Sequence, residues 1–463
     1  MSVKDKILET LAGLRAYARK KGYLASLLCH EEDSSLMRFA NSGVSLNTSE
    51  HLFRLNITAY SGQQRATFRL VTRLDSFEEM EQGIDTAAEM VQHAQPLTYQ
   101  PTVPVLGETM IDESGFDASL AQLGDGDKLR YFHTAVQDLE TQDLRLSGVF
   151  SSGANTIALT NTQSDHTLYF KTFDAQITAV LAHANLKWEV IAEQSAQISS
   201  DLEPQDLHHQ LAYLVGLYQH QPAQQLPLGR YRIVFGPAAT AEMLSILEWI
   251  GFDGGSMKRG YSCLEGSQIG QRLFSERFTL VDDPGRQETF PFKVDLTGIR
   301  RKAYPIIQEG VFRGFVWEQD DADEFGMEPT GHTVPHKSLV LQGGHQQIAS
   351  LDELARMPRD EDTLYIPYLH YMNIVNPSRG IITASSRFGA LFFRKDGAIA
   401  VPYNVRLTQS LLEIFGDRVE WLSRATVPYN TSQSYGARNP TAVIVPRLIE
   451  VRDLAISHSN ASY

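Results

Sequence analysis

The chain has little cysteine, no long basic run and no long apolar run, and each absence removes a class of protein. Its two cysteines, Cys29 and Cys263, have no CxxC spacing. That excludes a disulfide framework and leads one to expect a reducing compartment. Nowhere do about 18 apolar residues follow one another, so no membrane-spanning helix is expected. The opening Met1-Ser2-Val3-Lys4-Asp5-Lys6 runs into an amphipathic helix and not an apolar signal core. A cytoplasmic protein is expected. The formal net charge is -14. A nucleic-acid partner is not expected, because phosphate contacts need clustered cations. The acidic balance favours solubility and is compatible with cationic peptide partners.

Several catalytic signatures are missing as well. There is no Gly-x-Ser-x-Gly elbow, Walker loop or Rossmann glycine fingerprint. A zinc peptidase needs imidazoles or a thiolate to hold the ion and a carboxylate to take a proton from its water. His30-Glu31 has no second His within the next five residues. It is expected to be a surface polar pair.

What is present is ordinary globular composition: 42% hydrophobic, 21% charged and 10% aromatic over 463 residues. Ile7, Leu11, Leu14 and Ala18 mark a helix over residues 3–22. Phe53 to Ala59 and Ala66 to Thr72 alternate around Ser61-Gly62 as a hairpin. Ser76 to Ala94 is the next helix, with Ser76 and Glu79 as a capping box. The proline-bearing 95–105 stretch reads as a linker. Helices over 127–140 and 203–220 bracket strands near 145–150, 156–160, 167–172 and 175–183, and 221–227 is a boundary. Thereafter the chain is β-rich with many glycine turns. The expected units are 1–95, 96–227 and 228–463. The fold class is α+β: hairpin-and-helix modules, then a large β-rich domain, a sandwich or distorted barrel.

Few residues suggest chemistry by themselves. His332, His336 and His345 lie in a Gly/Pro loop, where a solvated role is expected over a metal site. Asp320-Asp321-Ala322-Asp323-Glu324 begins like a calcium loop but fails at Phe325 and at His332, so it reads as a solvated acidic turn. Cys263 has no neighbouring His and reads as a buried structural thiol.

An ordered series of segments carries more. The strand Tyr231-Arg232-Ile233-Val234-Phe235 stops at Gly236-Pro237, and a short helix follows with Met243, Leu244, Leu247 and Ile250. Then come Arg259-Gly260-Tyr261-Ser262, Val281-Asp282-Asp283-Pro284, Gln308-Glu309-Gly310, Pro329-Thr330-Gly331-His332, Asn376-Pro377-Ser378-Arg379-Gly380 and Val401-Pro402-Tyr403-Asn404. In this order they resemble the TldD/PmbA family, once described as modulators of DNA gyrase, which contains zinc peptidases and silent partners. The active branch carries His-Glu-x-x-x-His on the helix after the Gly-Pro strand end, and a Cys near the C-terminus. Aligned here, those positions hold Ser245, Ile246, Ile250 and Thr426. The resemblance thus implies a chain with no zinc of its own. It would be the non-catalytic subunit of a zinc metallopeptidase that degrades or trims unstructured peptides, with zinc only in the partner. It also implies a dimer through the β domain, with a zinc-motif homologue or with itself. An extended peptide is expected in the enclosed cavity, with His332 and His336 as candidate peptide contacts. A homodimeric peptide-binding protein without a peptidase partner, and a divergent peptidase using His332, His336, His345 or Cys263, are the other readings.

Overall fold

The structure is a computed structural model and describes residues 2–186, 188–219, 221–432 and 437–460. The first helix, Val3–Lys20, starts where the Ser2 hydroxyl accepts the Asp5 amide at 3.1 Å, and it buries Ile7, Leu11, Leu14 and Ala18. With the helix Phe77–His93 it covers one face of a seven-stranded sheet. The expected capping box of that second helix is absent. Ser76 makes no side-chain cap, and Glu79 is taken by the Thr72 hydroxyl.

The sheet runs in the order 64–72, 43–61, 24–40, 144–161, 167–183, 110–115, with 189–196 beside 167–183. The units expected at 1–95 and 96–227 share it, because Leu24–Ala40 pairs with Leu144–Asn161 from Ser26↔Asn161 to Phe39↔Gly148. Strands that read as short pieces are continuous: Leu144–Asn161 and Thr167–His183 form one long antiparallel pair.

Leu24–Ala40 escapes an alternation reading because both its faces are covered. His30 and Glu31 are buried, not on the surface. The His30 Nε2–H lies between Asn155 Oδ1 at 2.5 Å and the Arg438 carbonyl at 2.9 Å. Burial lowers the pKa of this ring. The strand is central in the sheet, and the C-terminal lobe closes over the face opposite the helices.

That lobe is built on two further sheets, one of them curled into a half-barrel. In the nine-stranded sheet, Gly229–Phe235 lies between Ile449–Asn460 and Thr363–Ile366, and its Ile233, Val234 and Phe235 are fully buried. An apolar strand with no polar alternation is what a central, doubly covered position requires. Thr426–Asn430 ends the six-stranded sheet and Tyr368–Asn376 ends the nine-stranded one.

The acidic run is a helix, Gln319–Phe325, not a solvated turn. Asp320 pairs with Arg65 of the first hairpin, Asp321 with Arg259 at 2.7 Å, and Asp323 accepts from the Thr102 amide at 2.7 Å. Its charges thus fasten the linker and the N-terminal hairpin to the C-terminal lobe. A glycine fixes another approach. Gly310 has φ +77, and a Cβ there would sit 2.3 Å from the Phe274 carbonyl oxygen. Gly310→Ala is expected to destabilise by about 1–3 kcal/mol from the backbone conformation alone, read as a lower urea midpoint; an unchanged midpoint would contradict this packing.

Candidate functional site

The Gly-Pro strand end positions the centre of the candidate site. The Gly236 amide donates to the Ile366 carbonyl at 3.0 Å, and Pro237 opens the helix Pro237–Leu247 at the position where its missing N–H costs nothing. Ala238, Ala239, Ala241, Met243, Leu244 and Leu247 bury its inner face. A π-turn, Glu248–Phe252, follows directly. Residues five apart on an α-helix point about 140° away from each other, and the wider i→i+5 turn narrows that angle.

The side chains at the resemblance's four ligand positions do not suit a metal. The Ser245 hydroxyl donates to the Ala241 carbonyl at 3.1 Å. Ile246 packs against the core, Ile250 is 1% exposed, and Thr426 is half-buried at the start of its strand. Neutral hydroxyls and alkyl groups replace the imidazoles, carboxylate and thiolate that hold zinc. Among the described residues no three His, Cys, Asp or Glu side chains converge as a metal site. These residues do not fit a zinc ion.

The outer face of this helix instead borders a cluster of polar side chains and strand edges. Thr426–Asn430 and Tyr368–Asn376 pack against the helix, and Glu189–Ala196, the open-edged strand of the N-terminal sheet, reaches Thr426–Asn430. Val190, Ala192 and Ala196 point into the N-terminal core, so Glu189 and Glu193 face this cluster. The Tyr368 hydroxyl is 3.0 Å from that of Tyr429, and Tyr429 in turn bonds the Glu193 carboxyl. Thr178 donates to Glu193 at 3.2 Å. Glu242 stands exposed on the motif helix. At the far end Arg387 pairs with Glu189 at 3.0 Å and lies 3.2 Å from His370 Nε2.

Burial raises the Glu193 pKa to about 7, against the hydrogen bonds of Thr178 and Tyr429 and with the help of the Glu242 charge. Burial raises Glu242 also, and it raises Tyr429 well above the usual phenol value. A carboxyl whose folded pKa exceeds its ordinary 4.5 stabilises the fold at low pH and loses that contribution as pH rises from about 4.5 through about 7. Glu193→Gln is therefore expected to flatten the pH dependence of stability between pH 5 and 8 and to gain on the native chain at pH 8. Parallel curves of urea midpoint against pH would contradict this.

The loop histidines lie elsewhere; His332 and His336 are not solvated, whereas His345 is. His332 is 2% exposed; its Nε2 meets Asp282 at 3.1 Å and its Nδ1 meets the Thr330 hydroxyl at 2.7 Å. His336 Nε2 donates to the Phe290 carbonyl at 2.9 Å, and His345 is exposed. Cys263 is buried, and burial pushes its thiol up to about 11, the wrong direction for a nucleophile. Sequence reasoning passed over Glu193, Glu242, Tyr368 and Tyr429. Glu242 was the visible signal: a lone carboxylate in the otherwise apolar 237–247 helix.

Fold and site together define an α+β protein whose helix 237–247 packs against two sheet-edge strands. Residues 228–458 match the PmbA/TldA metallopeptidase C-terminal domain. A metalloprotease from Methanothermobacter thermautotrophicus is 27% identical over 198 residues, 40% of this chain and 41% of that protein, so the match spans about two fifths of the relative's length. The crystal structure of TldE from Thermococcus kodakarensis superposes with a TM-score of 0.79 at 15% identity, covering 97% of this chain and all of that one. A Thermotoga maritima protein described as a candidate modulator of a DNA gyrase gives a TM-score of 0.73 at 16% identity, covering 97% and 100%. The chain belongs to the TldD/PmbA family, which is metallopeptidase-related.

Proposed function

We propose that this chain is the non-catalytic subunit of a zinc peptidase and lines a groove that receives an extended peptide. The observation that carries the reading is the occupation of the four ligand positions by Ser245 and Ile246 on the helix Pro237–Leu247, Ile250 in the π-turn after it and Thr426 at the start of its strand, with the helix well packed. The groove supplies what a peptide-holding wall requires. It has open strand edges for main-chain hydrogen bonds, which read no side chains, and carboxyls and phenols for cationic or polar groups. In this reading zinc and its water belong to a zinc-motif homologue. Zinc would supply the Lewis acid for peptide hydrolysis, and this chain's own residues would bind and orient the substrate. His332 and His336 contribute by fixing their own loop, through Asp282 and the Phe290 carbonyl.

The test is purification of the chain from its native cell, followed by kinetics of the complex. A zinc-motif homologue is expected to co-purify in equal amount. Tyr429→Phe in that complex is expected to raise KM for an unstructured peptide roughly tenfold, the effect of one lost hydrogen bond, with assembly intact. Recovery of this chain only as a homodimer would favour a peptide-binding protein without a peptidase partner and overturn the proposal.

A further inference from the structure

A small cavity lies where five segments from both lobes meet. Asn155, Ile157, Phe170 and Thr172 of the N-terminal sheet form one wall. Phe290, Pro291, Phe292 and His336 form another, and Asn439 and Pro440 close it. It offers about 10 Å³ to the centre of a water-sized sphere, which is room for one water and not for a side chain. Three buried polar atoms of these walls have no protein partner: Thr172 Oγ1, His336 Nδ1 and Asn439 Oδ1. Left unpaired, each such atom costs roughly 1–3 kcal/mol, and all three belong to residues that line this one void.

The chemistry of the three atoms specifies it. The Phe290 carbonyl only accepts, so His336 Nε2, at 2.9 Å, carries the ring proton. That carbonyl is aimed by a left-handed backbone at Phe290, φ +55, a costly conformation for a bulky residue. Burial holds the His336 pKa down to about 4, so the ring is neutral near pH 7 and Nδ1 is a bare acceptor. Asn439 Oδ1 is a second acceptor, and the Thr172 hydroxyl donates or accepts. We infer that the cavity is a binding site for a single water, which donates to His336 Nδ1 and Asn439 Oδ1 and accepts from the Thr172 hydroxyl. A cation fits less well. The charges nearest the ring, Asp282 and Arg301, are already paired with each other at 2.5 Å, and among the described residues no Asp or Glu lines the void. The bound water ties the N-terminal sheet to the 334–338 loop and to the segment that carries Arg438. This site is independent of the peptidase reading.

The test is a crystal structure of the full chain at about 1.5 Å, with histidine nitrogen shifts by NMR at pH 6 to 8. One solvent peak within hydrogen-bond distance of all three atoms, and His336 as the Nε2–H tautomer, are expected. An empty cavity, a peak with an anomalous metal signal or metal-like contact lengths, or a proton on Nδ1 would each overturn the inference.

Discussion

Asp282→Ala is expected to destabilise the chain by about 3–5 kcal/mol, the cost of leaving a buried charge without its partner. Arg301 reaches both oxygens of Asp282 at 2.7 and 2.5 Å, His332 Nε2 lies 3.1 Å away, and the Ser338 amide donates at 2.5 Å. Both charged side chains are 1% exposed. Water therefore has no route to replace the lost carboxylate, and the Arg301 charge is stranded beside the Phe292 carbonyl it also holds at 2.8 Å. The native group has its own pH signature. Burial works to raise its pKa, but the His332 hydrogen bond and the Arg301 charge outweigh burial and pull it from 3.8 down to about 2. For a depressed carboxyl the stabilisation is complete above the ordinary value and is lost as pH falls from about 4 through about 2. Urea unfolding at pH 7 reads the first effect, and an acid transition shifted upward and broadened in Asp282→Asn reads the second. A loss below about 1 kcal/mol would mean that the ion pair is not the keystone of this lobe.

Arg438→Ala is expected to cost a similar amount, about 3–5 kcal/mol, but to show it first at the seam between the lobes. The guanidinium donates to Asp174 at 2.7 Å and to the Ser151 hydroxyl at 2.7 Å, and the Arg438 amide donates to Glu32 at 3.0 Å. Asp174 is fully buried, and among the described residues only Asn430, at 3.3 Å, would remain beside its carboxylate. Hydrogen exchange should then accelerate in Thr426–Asn430 and Ala442–Pro446 ahead of the helix Val3–Lys20. Uniform acceleration across the chain, or none, would contradict a local clamp.

Much of the fold was legible because its helices carry clean stripes. Ile7, Leu11, Leu14 and Ala18, and later Leu207, Leu211, Leu214 and Tyr218, are buried as their spacing requires. The continuous apolar run at Ala442–Pro446 is likewise a buried strand. Failures occurred where polar residues are buried. His30, Glu31 and Glu32 hid the central strand Leu24–Ala40, because partners supplied by distant segments satisfy them. The charge of Asp320 to Glu324 looked solvated for the same reason. The positions of Ser245, Ile246, Ile250 and Thr426 were marked only by the ordered family motifs. The polar cluster was not readable at all: Glu193, Glu242 and Tyr429 come from three elements far apart in sequence, and only the docking of the lobes brings them together.

The most direct test of the central claim is the zinc content of the purified, untagged chain, with cleavage of an unstructured peptide assayed on the same sample. Substoichiometric zinc and no cleavage alone, with cleavage appearing when a zinc-motif homologue is added, is the predicted result. About one zinc per chain together with cleavage by the chain alone would contradict the account and show that a metal site forms from residues other than Ser245, Ile246, Ile250 and Thr426.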